Sequence, residues 1–375
     1  MRPRALVTDG LWRKSLSVIR SLGKAGYDVT VSGDSLFTTG FWSRYTGHRL
    51  RTPVGEGLLR ELRRNPGAVV FPMEDATLAW VSANRARLEP YARLLLPAHE
   101  RVVAALDKAS TLATAGELGL PVPRTWAPTG PEELTRLVTG LEPGTFVVKP
   151  RSGRGSAGVA YAGNSWARHW ENYGPLLVQE RIPAEGRGLG VGALLDARGE
   201  CAAVFAHERL RQYPVSGGPS TDRRSILAPR LVELSLRLLR RLEWRGVAMV
   251  EWKADPRDGQ PKLMEINPRF WGSLELAVRA GVDFPLLYAR AARGEQLGPP
   301  PRYREGVRCR WMIPGEILRF LSEPDREPLR LFFQGLPGLA EEWDRSDVRG
   351  LAATVVCTGV NALRPRYWRY IRRRG

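Results

Sequence analysis

Residues 263–273 read LMEINPRFWGS and place an acid, an amide and an arginine within five positions: Glu265, Asn267 and Arg269. Strand geometry sends alternate side chains to opposite faces. It predicts Leu263, Glu265 and Asn267 on one face, and Met264 and Ile266 on the other, against the core. Pro268 then ends the ladder. A carboxylate beside an amide oxygen is a hard oxygen donor set suited to Mg²⁺; a polar strand edge facing water is the alternative. Upstream, VAMVEWK puts Val247, Met249 and Glu251 on one face of a second strand, joined to the first through the turn DPRDG. Antiparallel pairing brings Glu251 and Glu265 to about 5 Å across the ladder. Two acids so placed repel unless a cation lies between them. One or two Mg²⁺ ions would serve, as would a cross-strand salt bridge from Lys253 or Lys262.

Lysine usage directs attention further. The chain holds 57 basic residues, yet only Lys14, Lys24, Lys108, Lys149, Lys253 and Lys262 are lysines. A chain that otherwise uses arginine keeps lysine where a compact point charge is needed, which singles out Lys108 and Lys149. Lys149 precedes a Gly-rich stretch, KPRSGRGSAGV, with Ser152, Gly153, Gly155, Ser156 and Gly158. Glycines let a backbone approach phosphate oxygens, and successive N–H groups can form an anion nest. The lysine comes before the loop and no GK[ST] follows, so this is not a Walker P-loop. A plain Gly-Ser linker is the other reading.

The elements that must position these groups can be read from hydrophobic periodicity. The opening RALVTDGLWRKSLSVIRSLGKAGYDVTVSG reads strand, helix, strand, one βαβ unit of a parallel sheet. No GxGxxG follows its first strand, so a dinucleotide site is not supported. GAVVFP adds a strand and a helix begins near Glu74. Further on, GTFVVKP and PLLVQERI read as strands, and GLGVGALLD with CAAVFAHERL as a hairpin. APRLVELSLRLLRRL is an amphipathic helix, and SLELAVRAGVDFPLLYARAARGE is helical with breaks at Gly281 and Pro285. Beyond residue 300 the pattern weakens.

The order of these signals carries a resemblance. LDKASTLATAGELGLPVPRTW, FVVKPRSGRGSAGV, VQERI and GVAMVEWKAD…LMEINPRFWGS resemble the ATP-grasp superfamily over roughly residues 5–295, in particular its carboxylate–amine ligases. The resemblance implies an α/β fold, with α+β character in the ATP-grasp part. It implies a Rossmann-like pre-ATP-grasp domain over 1–100 and a two-lobed ATP-grasp domain with antiparallel sheets over 101–300. The lid lobe would cover about 115–178 and the catalytic lobe about 179–300; an extension of open role fills 301–375. By the same resemblance Lys108 and Lys149 hold ATP phosphates, under a lid formed by Ser152–Gly158. Gln179–Ile182 is the adenine hinge, with main-chain groups of Glu180 and Ile182, and Glu185 meets the ribose. Glu251, Glu265 and Asn267 ligate Mg²⁺, or Mn²⁺ in its place. Arg269 faces the γ-phosphate and the acyl-phosphate. The segment HERLRQYPVSGGPSTDRRSI is expected to be a basic acceptor-site loop, with His207, Arg209, Arg211, Arg223 and Arg224 joined by Ser273. Such a loop suits an acidic substrate, with an ordinary solvated loop as the alternative; His207 is a candidate base for the amine or a structural histidine.

The expected reaction is ATP-dependent joining of a carboxylate to an amine through an acyl-phosphate. A kinase acting on a hydroxyl shares the fold signals. A nucleic-acid-binding protein is the contrasting class, suggested by a net charge of +18. Arginine is spread along the chain, which disfavours nucleic acid. Only the end, RPRYWRYIRRRG, interleaves basic and aromatic residues densely, as contact with a phosphate-rich partner or an anionic lipid surface would need; a solvated terminal helix end is the other reading. Three scattered cysteines, the lack of a long apolar run and an N-terminus without a secretory pattern point to a reduced, cytoplasmic protein, with a homodimer allowed.

Overall fold

The computed structural model describes residues 2–153, 158–161, 165–215, 217–322, 329–336 and 338–363. The N-terminal layer contains β1 (Arg4–Val7), α1 (Arg13–Lys24), β2 (Asp28–Gly33), β3 (His48–Arg51), α2 (Glu56–Arg64), β4 (Ala68–Phe71), α3 (Asp75–Ala83), α4 (Arg85–Leu88) and β5 (Ala92–Arg93). Its strands form one parallel sheet in the order β3-β2-β1-β4-β5. The apolar run Ala5–Val7 is buried on both faces, as parallel strands between helices require.

Next come α5 (His99–Leu106), α6 (Lys108–Glu117), β6 (Thr125–Trp126), α7 (Pro131–Thr139), β7 (Phe146–Pro150), α8 (Trp166–Tyr173) and β8 (Leu176–Glu180). Strands β6, β8 and β7 make a small antiparallel sheet with its own core, in which Leu134 of α7 meets Val148 and Val178.

The chain continues through β9 (Gly188–Leu195), β10 (Cys201–Gln212), β11 (Ser220–Ser225), α9 (Pro229–Arg241), β12 (Gly246–Ala254), β13 (Pro261–Asn267), α10 (Leu274–Ala280) and α11 (Phe284–Ala292). It ends with β14 (Arg308–Arg310), α12 (Ile317–Ser322), α13 (Leu329–Phe333) and α14 (Val348–Ala362). A six-stranded antiparallel sheet, β13-β12-β9-β10-β11-β14, is the centre of the molecule. Alternation along β12 splits its side chains between two cores. Ala248, Val250 and Trp252 pack with the leucines of α9, and Val247 and Met249 pack with Phe205 and Trp271. The indole of Trp252 donates to Ser235 of α9 at 2.9 Å. Truncating a leucine on that helix, such as the fully buried Leu238, would cost about 2–5 kcal/mol.

Two glycines of β9 are sterically required. A Cβ on Gly190 would stand 2.4 Å from the His207 ring, and one on Gly192 would stand 2.3 Å from the ring of Trp271.

The last part of the chain returns to the first. Strand β14 extends the central sheet through pairing with β11. Arg20 of α1 holds the fully buried Asp347 at 2.9 Å, and Asp347 also accepts from Ser43 and the Arg44 N–H. Helix α14 packs on a 3₁₀ turn at Thr39–Trp42. No helix among the described residues is long and apolar enough to cross a membrane.

Candidate active site

A cleft of about 1080 Å³ runs between the small sheet, the central sheet and the N-terminal layer. Glu251 and Glu265 are direct partners across β12 and β13. Asn267 Nδ2 donates to Glu251 Oε1 at 3.0 Å and reaches Glu265 Oε1 at 3.5 Å. All three line the cleft. Lys253 and Lys262 do not relieve the acid pair: Lys253 donates to the Ile182 carbonyl at 3.2 Å and Lys262 pairs with Asp258 at 2.9 Å. The cations come from elsewhere. Arg209 lies 3.3 Å from Glu251, and Lys108 lies 3.3 Å from Glu265. Burial and then the neighbouring Glu265 raise the Glu251 carboxyl above its usual range. Among the described residues no three His, Cys, Asp or Glu side chains gather as a metal-ligand set. The two carboxylates therefore need the Asn267 amide oxygen as the third hard donor for a divalent ion.

The face assignment for β13 needs one correction. Glu251 pairs with Glu265 but Trp252 pairs with Leu263, so Met264 is an extra residue in a β-bulge. The bulge turns Leu263 into the core, with Ile266, and turns Met264 toward the cleft.

Lys149, at the end of β7, is buried and lines the cleft. Burial, then the charge of Lys108, push its ammonium down to about 8, against the pull of Glu265 and Glu251. Lys108 opens α6 and donates to the Gly153 carbonyl at 2.8 Å, tying the lysine to the start of the Gly-rich loop. Ser152 and Gly153 line the cleft; Gly155 and Ser156 lie outside the described residues. Gly158 has φ +75°, and a Cβ there would meet Tyr173 and Pro150 under 3 Å, so only glycine fits.

Gln179, Glu180 and Ile182 line the cleft where β8 leaves the small sheet. Gln179 Nε2 donates to Thr125 at 2.9 Å, while its buried Oε1 has no partner among the described residues. Part of the backbone expected to serve as a hinge is already engaged: the Glu180 N–H donates to the Arg124 carbonyl, and Lys253 occupies the Ile182 carbonyl. Glu185 is exposed and outside the cleft lining, although its neighbours Ala184 and Gly186 belong to it.

Arg269 is buried against the cleft and held by Asp75, from Nε at 2.6 Å. Asp75 sits in the first turn of α3, in the N-terminal layer. That layer also supplies Lys14, which pairs with Glu74 at 2.8 Å and donates to the Phe270 carbonyl at 3.2 Å. Arg13 stacks 4.2 Å from the Trp311 ring centroid and pairs with Glu341 at 2.8 Å. Asp75, Glu74, Lys14, Arg13, Trp311 and Glu341 line or support the cleft, and motif reading passes them over because no local pattern marks them. Lys14 had one available signal, its place among six lysines.

The expected basic acceptor loop is instead a hairpin. His207, Arg209 and Arg211 lie in β10, and Arg223 and Arg224 in β11. Of the five, only Arg209 lines the cleft. Arg211 pairs with Glu316 at 3.0 Å, Arg224 with Glu208 at 2.8 Å, and the fully buried Arg223 with Glu341. His207 is buried against Ser273, its Nε2 3.0 Å from the Ser273 hydroxyl. Burial, then Arg223 and Arg209, push its pKa down to about 3. A neutral, enclosed imidazole away from the cleft is unsuited to take a proton from an incoming amine. Ser273 is likewise buried outside the cleft lining.

Residues 176–313 match the family model described as ATP-grasp in the biosynthetic pathway with Ter operon. The structure is similar to the biotin carboxylase domain of 2-oxoglutarate carboxylase from Hydrogenobacter thermophilus, solved as a dimer with MgADP, ADP and bicarbonate. The TM-score is 0.66 at 15% identity, covering 82% of this chain and 73% of that one. The fold is an ATP-grasp fold. N5-carboxyaminoimidazole synthetase from Staphylococcus aureus, complexed with ADP, shares it at TM-score 0.63 and 12% identity, covering 81% of each chain. So does an N5-carboxyaminoimidazole ribonucleotide synthetase in its ADP complex, at TM-score 0.65 and 16% identity, covering 86% of each chain. Among curated proteins, none matches the chain by sequence. The ATP-grasp match spans β8 to β14, so it includes the acid pair and Asn267; Lys108 and Lys149 lie ahead of it.

Proposed function

We propose that the protein is an ATP-dependent ligase that joins a small carboxylate to an amine and releases ADP and phosphate. The observation that carries this reading is the convergence of Glu251, Glu265 and Asn267 with Lys108 and Lys149 in one cleft. In this reading Lys108 and Lys149 bind the triphosphate and the loop from Ser152 to Gly158 covers it. The hinge Gln179–Ile182, with Met264, seats the adenine. Glu251, Glu265 and Asn267 would hold Mg²⁺, which neutralises phosphate charge when bound. Arg269, fixed by Asp75, stabilises the phosphoryl group in transfer.

The chemistry needs two displacements. A carboxylate oxygen attacks the γ-phosphorus and the bond to ADP breaks. The amine lone pair then attacks the acyl carbon, and the acyl–oxygen bond breaks to release phosphate as the nitrogen sheds a proton. Positioning and charge neutralisation supply most of the acceleration, and closure over the cleft keeps water from the acyl-phosphate. The cleft is also lined by Trp12 and Arg13 of the N-terminal layer and by Trp311, Leu318 and Thr358 of the C-terminal segment. These residues are assigned to the acceptor.

Hydroxylamine decides between this and a kinase. Paired carboxylates and amines are screened for phosphate release, with Glu265→Gln as the blank, and each active carboxylate is then offered hydroxylamine. A hydroxamate with ADP supports the ligase. A stable phosphoester with no free phosphate would establish the kinase instead.

A further inference from the structure

Helix α14 differs from an ordinary surface helix. Its inward side mixes the buried Gly350, Ala353 and Cys357 with Thr354, Thr358 and Asn361, the last three lining the cleft. Its outward side is apolar. Val348, Ala352, Val355, Val356 and Leu363 fall within about 100° of arc at 3.6 residues per turn, and the one charge in the helix, Arg349, lies beside that arc. Val348 is 64% exposed, Val355 52%, Val356 57% and Leu363, at the helix end, 85%. Surface helices normally turn such a stripe inward. Helix α9 of the same molecule does so: it buries Leu231, Leu234 and Leu238 and exposes Arg230, Glu233, Arg237 and Arg240.

Other exposed apolar side chains are Leu36, Trp42 in the 3₁₀ turn on which α14 packs, and Leu321 of α12, which is 67% exposed. The sequence then runs directly from Leu363 into RPRYWRYIRRRG, which lies outside the described residues. This tail has six arginines, no acid, and Tyr367, Trp368, Tyr370 and Ile371 between them.

We infer that the α14 face and the arginine-rich tail together dock on an anionic lipid surface. The apolar stripe supplies burial at the acyl boundary, as in helices that lie in the interfacial plane. The tail supplies attraction to negative headgroups and aromatic rings suited to that depth. Charge sign selects this occupant over a second copy of the chain, since two such tails of six arginines would repel. At 15 residues α14 is too short to span a bilayer, so the contact is peripheral and reversible. The inference does not depend on the ligase reading.

The test is cosedimentation of the full chain with vesicles of phosphatidylcholine alone or of an equimolar mixture with phosphatidylglycerol. Binding is expected to be at least about tenfold tighter on the anionic vesicles and to weaken with salt. The double variant V355D/V356D should lower it about tenfold or more while circular dichroism and the melting temperature stay unchanged. A chain ending at Leu363 should lose the anionic preference. Equal partition to both vesicles, or binding insensitive to V355D/V356D, would overturn the proposal. So would light scattering that finds a dimer broken by V355D/V356D with no vesicle binding, because the face would then join two copies.

Discussion

Arg269 is held by Asp75, a residue almost two hundred positions earlier, through a 2.6 Å contact from its Nε. The guanidinium belongs to the segment after β13, and the acid belongs to the first turn of α3. The N-terminal layer thus aims a cation into a cleft whose acids stand on the central sheet. Asp75→Asn keeps the shape and removes the charge. Substrate-dependent turnover is expected to fall on the order of 10²-fold, the cost of an ångström-scale misplacement. Nucleotide affinity should change less than about threefold, which calorimetry on the same variant would check.

Lys149 sets a pH dependence. With its ammonium pushed down to about 8 by burial and by Lys108, the cleft without nucleotide loses this cation as pH rises through that value. In the proposed reading a bound triphosphate would restore the proton. Nucleotide affinity should therefore be level below pH 7, fall about tenfold per unit above pH 8, and be accompanied by proton uptake there. Calorimetry in buffers of different ionisation enthalpy measures both quantities. Lys149→Met should bind weakly at every pH and show no such slope.

Met264 reaches the cleft only because of the bulge in β13. Met264→Ala removes apolar surface from the side of the cleft proposed to seat the adenine, part of the roughly 1.5–3 kcal/mol that burying such a side chain is typically worth. A loss of about tenfold in nucleotide affinity with a smaller change in turnover is expected. An unchanged dissociation constant would place the adenine elsewhere.

His207 provides a stability prediction rather than a catalytic one. Its pKa of about 3 in the folded chain lies below the ordinary histidine range near 6.5. The unfolded chain takes up the proton first, so this group's contribution is present above pH 6.5 and is lost progressively as pH falls toward 3. His207→Gln should flatten the decline of melting temperature over that window and leave the pH profile of turnover intact. Gly190→Ala, which drives a methyl into the same ring, should destabilise by about 1–3 kcal/mol.

The sequence is most informative where one period runs unbroken. Strand β12 keeps its alternation through Gly246–Glu251, so the orientation of Glu251 can be read, and its pairing with Glu265 follows from the short turn. Alternation misplaces Leu263 and Met264 because a bulge inserts one residue without a glycine or proline to announce it. The charges of the β10–β11 hairpin mislead for another reason. Arg211 and Arg223 find their partners in Glu316 and Glu341, roughly a hundred positions away, and no spacing rule reaches that far. Asp75 and Glu74 are hidden likewise: a carboxylate in the first turn of α3 suits the helix dipole, which is explanation enough until Arg269 and Lys14 are seen beside it.

Lys149 rides on the small three-stranded sheet, while Glu251 and Glu265 stand on the six-stranded one. Their mutual attraction acts as a weak spring across the opening, and dissolved ions slacken it. The resting aperture of the ligand-free protein should widen as ionic strength increases, and small-angle scattering would record this as a larger radius of gyration. Nucleotide would then abolish the trend by replacing an elastic coupling with a filled one.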